Sequence, residues 1–160
     1  MKFLEKIYSW DMAASQVKDW KKDGCRLVFT NGCFDLIHFG HLAYLEQARE
    51  LGHRLIVGLN SDASVSSIKG SHRPIKDQKT RASLLASLYF VDMVVVFEED
   101  TPRQLIQRLT PDILVKGGDY KLDSIVGAEI VLQNGGEVKS LDFVPGYSTS
   151  AYEQKIRSFS

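Results

Sequence analysis

The sequence predicts a doubly wound α/β domain, with a mostly parallel five-stranded sheet carrying helices on both faces. Short apolar runs alternate with helical patterns along the whole chain. The runs are apolar at consecutive positions, as in Met93-Val94-Val95-Val96-Phe97, and not at every second one, which marks strands covered on both sides. Polar clusters follow the ends of the strands, where ligands bind in such sheets. With 160 residues there is one core to bury, residues 1–24 forming an N-terminal helical segment and residues 25–160 the α/β core.

Asp11 is the expected N-cap of a helix from Met12 to about Lys22, stopped by Gly24. Arg26 to Thr30 reads as the first strand. A helix from about Gly40 places Leu42, Leu45 and Ala48 on one face and stops at Gly52. Arg54 to Leu59 is a buried strand. The polar, Ser-rich stretch from Asn60 to Lys76, which contains Pro74, reads as a long loop with a short helical turn. A helix from Asp77 to Leu88 precedes the strand Met93 to Phe97. Thr101 and Pro102 suit an N-cap and first helical position for a helix to about Leu109. Ile113 to Val115 is the next strand, with Lys116 at its carboxyl end. Ser124 to Gln133 reads as a helix closed by Asn134-Gly135-Gly136, Glu137 to Phe143 as the last strand, and Ser148 or Thr149 as the cap of a final helix.

Composition narrows the function. Lys+Arg and Asp+Glu are equal at 20 each, so the basic excess expected of a general nucleic-acid or anionic-membrane binder is missing. No run of about 18 apolar residues occurs, and the first twenty residues carry too many charges for a signal h-region. Cys25 and Cys33 are too few and wrongly spaced for a disulfide framework, which fits a reducing cytoplasm. Neither a Walker A pattern nor a G-x-G-x-x-G fingerprint is present.

The chemistry concentrates in Thr30-Asn31-Gly32-Cys33-Phe34-Asp35-Leu36-Ile37-His38-Phe39-Gly40-His41, between a strand and a helix. Gly32 gives a sharp turn, two imidazoles stand three positions apart, and Gly40 lets backbone approach a ligand. Free N–H groups at such a junction, with the positive end of a helix dipole, suit phosphate. A zinc pair completed by Glu46 or a distant acid is the rival reading of the histidines.

This stretch, G-x-F-D-x-x-H-x-G-H, resembles the signature of the HIGH-type nucleotidyltransferases, the superfamily of cytidylyl- and adenylyltransferases. The likeness continues through Gly58-Leu59-Asn60-Ser61-Asp62, Lys69-Gly70, Arg73-Pro74-Ile75, Arg81, Val91-Asp92, Lys116-Gly117-Gly118-Asp119-Tyr120 and Ser148-Thr149-Ser150, covering nearly all of the chain from Arg26 onward. The run Pro111 to Tyr120 is most similar to D-glycero-β-D-manno-heptose 1-phosphate adenylyltransferases, which make ADP-heptose for lipopolysaccharide.

The resemblance implies a Rossmann-like nucleotidyltransferase fold, with His38, His41 and Lys69 as catalytic groups. It implies nucleotide binding by Asn31, Gly32, Phe34, Asp35, Gly40, Arg81, Lys116, Gly118, Asp119, Tyr120, Ser148, Thr149 and Ser150, and substrate-phosphate binding by Arg73, Asn60 and Asp62. ATP and a sugar 1-phosphate are the implied substrates and Mg²⁺ the cofactor, with no protein metal site assigned. A homodimer is common among relatives, and a separate heptose kinase and phosphatase would supply the acceptor. The chain departs from the superfamily's I-S-S-T-x-x-R element: Glu153 stands in the arginine's place, leaving Lys155 or Arg157 to supply charge. Two other readings remain open, a cytidylyltransferase for glycerol 3-phosphate or a related polyol phosphate, and a nucleotide-binding module without turnover.

Overall fold

The structure is a computed structural model describing residues 1–118, 121, 124–142 and 144–159, with backbone alone for Ala151 and Arg157. A 3-10 turn at Lys2–Lys6 leads into β1 (Ile7–Tyr8), α1 (Trp10–Lys22), β2 (Leu27–Gly32), α2 (Phe39–Glu50), β3 (Arg54–Asn60), α3 (Asp62–Lys69) and α4 (Gln78–Ser87). There follow β4 (Met93–Phe97), α5 (Arg103–Leu109), β5 (Ile113–Gly117), α6 (Ala128–Gln133), β6 (Glu137–Leu141) and α7 (Thr149–Arg157).

The sheet has six strands, one more than expected, in the order β1-β4-β3-β2-β5-β6, and every pairing is parallel. From β2 the chain adds β3 and β4 on one side, then crosses to add β5 and β6 on the other. That reversal opens a crevice at the carboxyl ends of β2 and β5, which pair in register through Val28 with Ile113 and Phe29 with Leu114. The extra strand β1 lies against β4 at the edge, and the Trp10 indole N–H donates to the Val96 carbonyl at 2.9 Å.

Successive strand residues feed opposite faces. Leu27, Phe29, Ile56, Met93, Val95 and Leu114 pack with α1, α5 and α6, whereas Val28, Leu55, Val57, Val94, Ile113 and Val115 pack with α2 and α4. Both faces are therefore covered, which is why the strands read as unbroken apolar runs.

Several boundaries differ from the expectation. Ser9, not Asp11, caps α1, its Oγ accepting from Met12 N–H, because the Trp10 anchor draws two further residues into the helix. The expected loop from Asn60 contains the two-turn helix α3, whose cap is Ser61: the hydroxyl accepts from Ser64 N–H at 3.1 Å and Val65 is buried beneath it. Asp77 caps α4 at 2.6 Å from Thr80 N–H. At α5 the cap position falls on Pro102, one residue later than Thr101. α6 begins at Ala128, after Gly127 in a left-handed conformation, and β6 ends at Leu141; the rest of the expected strand reaches Phe143, outside the described residues.

The α3 cap determines how firmly Lys69, at the far end of that helix, is held. Ser61→Ala is expected to lower stability by about 1 kcal/mol, read as a shift of the urea unfolding midpoint, with Ser61→Asp retaining most of it.

Candidate active site

The loop between β2 and α2 is built around an unexpected residue. The left-handed backbone falls on Phe34 (φ 46) and not on Gly32, which ends the strand. A phenylalanine there costs about 1–3 kcal/mol of strain. It is offset by burying the ring, which packs against the His41 imidazole with centroids 5.3 Å apart. Gly32 is favoured by closeness: a Cβ on it would meet the Phe34 ring at 3.0 Å, and the ring would have to shift to admit it.

Asp35, next in the loop, is 2% exposed and carries an anion that the protein satisfies fully. It accepts from Ile75 N–H at 2.9 Å, Lys76 N–H at 3.0 Å and the Arg73 guanidinium at 2.6 Å. Burial by itself would raise its pKa; the Lys76 and Ile75 N–H groups and Arg73 outweigh that and hold it below the usual aspartate value.

The two histidines lie at the start of α2, with His38 as its N-cap residue and ring centroids 3.9 Å apart. A Cβ on Gly40 would meet the His38 ring at 3.1 Å and Tyr147 Cβ at 3.2 Å, tighter than ordinary contact, so glycine lets these groups approach without either giving way. His41 Nδ1 accepts from the His38 backbone N–H at 3.4 Å, which leaves Nε2 to carry the proton of the neutral ring. Burial, then the charges of His38 and Lys69, push the His41 pKa down to about 4, and burial lowers that of His38. Both rings are thus neutral N–H donors near neutral pH.

A cavity of about 500 Å³ opens over these residues at the β2/β5 reversal. It gathers Asn31, Gly32, Phe34, Asp35, His38, Gly40, His41, Lys69, Lys116, Ser148 and Thr149 from five elements and the loops between them. Its floor includes Tyr44, whose hydroxyl lies 2.6 Å from Thr30 Oγ1 and donates to the Val115 carbonyl at 3.2 Å. Burial pushes that phenol up to about 12, so it stays protonated as a strut between α2, β2 and β5. Lys116 points its ammonium at Asn31 Oδ1, 3.4 Å away, and burial lowers its pKa. Among the described residues neither Lys69 nor Lys116 has a carboxylate partner.

The wall formed by Val144, Pro145, Gly146 and Tyr147, which leads into α7, was not foreseen; its only sequence signal is the Pro-Gly turn ahead of Ser148. Tyr147 packs against Phe39 with centroids 5.2 Å apart, and Tyr152 stacks on His38 at 5.9 Å.

Other expected site residues are placed elsewhere. Arg81 is fully buried, and its guanidinium donates to the carbonyls of Cys33 (2.7 Å), Asn60 (2.8 Å) and Lys76 (3.0 Å) and to Asp62 (2.7 Å), outside the cavity lining. Asp62 is committed to that pair. Arg73 is held between Asp35 and Glu153, so Glu153 is the anchor of α7 to the loop before α4. Ser150 and Gly118 do not line the cavity, the Gly118 N–H being taken by the Leu141 carbonyl at 2.8 Å. Asn60 lines a second, adjoining cavity. Asp119 and Tyr120 lie outside the described residues, as does the side chain of Arg157. Among the described residues no three His, Cys, Asp or Glu side chains gather as a metal-ligand group, and no helix is long and apolar enough to cross a membrane.

The family model described as Cytidylyltransferase-like matches residues 29–155, from β2 through the cavity to α7. The chain belongs to this family. Among curated relatives it is 51% identical over 152 residues to the bifunctional protein HldE of Magnetococcus marinus and 58% identical over 141 residues to that of Nitratiruptor sp., covering 95% and 88% of this chain. It spans only 31% and 30% of the length of those relatives. A solved lipopolysaccharide core biosynthesis protein from Thermoplasma volcanium is 28% identical with a TM-score of 0.59, over 76% of this chain and 98% of that one. A pantoate-beta-alanine ligase from Francisella tularensis, 12% identical with a TM-score of 0.60 over 85% of this chain and 66% of that one, shares the fold alone.

Removing Arg81 tests its structural placement. Arg81→Met leaves buried carbonyl oxygens without a donor and is expected to lower stability by about 2–4 kcal/mol in urea unfolding. The histidines give a pH signature. Their folded pKa values lie below the unfolded value of 6.5, so the unfolded chain takes up protons that the folded one refuses. Stability is expected to be full above that value and to fall as pH drops from 6.5 toward about 4. Urea midpoints followed through that window should decline less steeply in His41→Gln.

Proposed function

We propose that the chain is an adenylyltransferase that joins ATP to D-glycero-β-D-manno-heptose 1-phosphate, giving ADP-heptose and pyrophosphate. The observation that carries this reading is the convergence of two neutral imidazoles and two ammonium groups, with no carboxylate partner among the described residues, on one crevice at the strand-order reversal. The extent and identity of the likeness to the bifunctional HldE proteins, and the likeness to a lipopolysaccharide core biosynthesis protein, support the choice of sugar phosphate.

In the proposed reaction a phosphate oxygen of the sugar phosphate attacks the α-phosphorus of ATP. The new O–Pα bond forms as the bond from Pα to the bridging β-phosphate oxygen breaks, and pyrophosphate leaves with that electron pair. No base is needed, since a phosphate monoester loses its second proton near pH 6. What the site must supply is alignment and positive potential on the phosphoryl oxygens. His38 and His41 supply N–H donors, Lys69 and Lys116 supply charge, and Ser148 and Thr149 at the start of α7 hold the outer phosphates.

Asp35, the carboxylate among the described lining residues, is already saturated by Arg73, Ile75 and Lys76. Asp35 is therefore not available to hold Mg²⁺, and the ion, when bound, would supply positive charge to the phosphates alongside Lys69 and Lys116. A kinase and a phosphatase supply the acceptor, and the reaction is cytoplasmic.

Purified protein with ATP, Mg²⁺ and the heptose 1-phosphate is expected to release pyrophosphate. Turnover with CTP in place of ATP would turn the reading to a cytidylyltransferase, and nucleotide binding without pyrophosphate release would make the chain a binding module. His41→Ala is expected to lower kcat by about 10²-fold or more through loss of a transition-state donor, with the protein still folded and unfolding cooperatively in urea at pH 8.

A further inference from the structure

Beneath the cavity, β2 and β5 part. Their paired positions end at Phe29 with Leu114, although β2 runs on to Gly32 beside β3 and β5 runs on to Gly117 beside β6. A parallel ladder fixes strand separation through evenly spaced backbone hydrogen bonds, so beyond its last pair another contact must take over. Thr30 and Val115 are the first residues past the split on each strand, and the Tyr44 hydroxyl reaches both. It donates to the Val115 carbonyl at 3.2 Å, which uses its one proton, so the 2.6 Å contact with Thr30 Oγ1 is made by the threonine O–H. A directed chain of two hydrogen bonds thus runs from β2 through α2 to β5, with all three residues buried.

The next residue on each strand belongs to the crevice. Asn31 follows Thr30, Lys116 follows Val115, and the Lys116 ammonium stands 3.4 Å from Asn31 Oδ1. Tyr44 comes three residues after His41 on α2, on the same side of the helix. Packing alone does not account for its hydroxyl: the ring belongs to an apolar cluster with Val28, Ile113 and Val115, where phenylalanine would pack as well.

We propose that Tyr44 is a positioning residue for the transfer step: its hydroxyl, seated where β2 and β5 separate, sets the distance between Asn31 and Lys116 across the crevice and ties both to the helix that carries His41. The assignment rests on the adenylyl-transfer reading above. In-line transfer requires donors from both sides of the crevice to meet one phosphoryl group, and a misplacement of about 1 Å costs on the order of 10²-fold in rate. A strand split with no tie at its base would let that separation vary. Thr30 shares the task, because its O–H makes the other half of the bridge.

The test is initial-rate kinetics with ATP and heptose 1-phosphate varied in turn, on the wild type, Tyr44→Phe, Thr30→Val, Thr30→Ser and the Tyr44→Phe/Thr30→Val double variant, each checked for cooperative urea unfolding. Tyr44→Phe and Thr30→Val are each expected to lower kcat about tenfold, with KM for both substrates within about twofold of wild type. The double variant should be about as slow as either single one, since both remove the same bridge. Thr30→Ser keeps the hydroxyl and should hold kcat within about twofold of wild type. Undiminished kcat in Tyr44→Phe, or Thr30→Ser falling as far as Thr30→Val, would overturn the positioning role while leaving adenylyl transfer intact. If Tyr44→Phe does not fold, the contrast between Thr30→Val and Thr30→Ser decides the matter. A wild type that releases no pyrophosphate would overturn the reaction and the role together.

Discussion

Arg81 is a fully buried cation, and its guanidinium donates to backbone carbonyls at the ends of two adjacent strands and at the entry to α4. Cys33 follows β2, Asn60 ends β3 and Lys76 precedes α4, so one planar fork fixes three chain segments relative to one another. Asp35 performs the complementary task with the opposite charge, binding the N–H groups of Ile75 and Lys76 and the Arg73 guanidinium. Each buried charge is satisfied by several partners, the condition under which such groups define geometry instead of destabilising the fold. Without these two anchors the loops above the sheet would have no fixed separation, and a crevice between them would have no fixed width.

The anchors also explain how a chain of zero net charge makes a cavity of positive potential. Arg73 and Arg81 are neutralised by Asp35, Glu153 and Asp62, so they add little positive potential to the cavity. The potential comes from Lys69 and Lys116, both in the cavity lining, and from N–H dipoles of two uncharged imidazoles. Neutral rings suit a reaction whose nucleophile arrives already ionised, because no proton need be moved and none is lost to solvent.

Much of this was legible in the sequence, and the failures are instructive. The parallel sheet follows from apolar runs such as Leu55-Ile56-Val57, which no half-exposed strand would carry. The spacing around His38 and His41 identified the β2–α2 junction. By contrast β1 is two residues long, too short for any periodicity to register. The helix α3 reads as a loop because five of its eight residues, Asp62, Ser64, Ser66, Ser67 and Lys69, are polar. Only Ala63, Val65 and Ile68 break that run, and the Ser61 cap with the burial of Val65 decides the matter. The burial of Arg73 and Arg81 in ion pairs is not legible, because a sequence shows an arginine's charge and not its surroundings. The strain at Phe34 was hidden because a left-handed conformation is expected of glycine, and Gly32 stood two residues away.

Glu153 gives the clearest case of a departure that the fold absorbs. An arginine at that point of α7 would add positive charge beside the cavity; a glutamate there instead pairs with Arg73, whose other edge is held by Asp35. The line Asp35–Arg73–Glu153 connects the first turn of the site to the last helix, so α7 is docked by an ion pair at the rim of the crevice. Docked in this way, α7 keeps Ser148 and Thr149 in the lining and Tyr152 stacked on His38. The glutamate thus orders the hydroxyls at the start of α7 and adds no positive charge of its own, leaving Lys69 and Lys116 to supply the positive potential of the cavity.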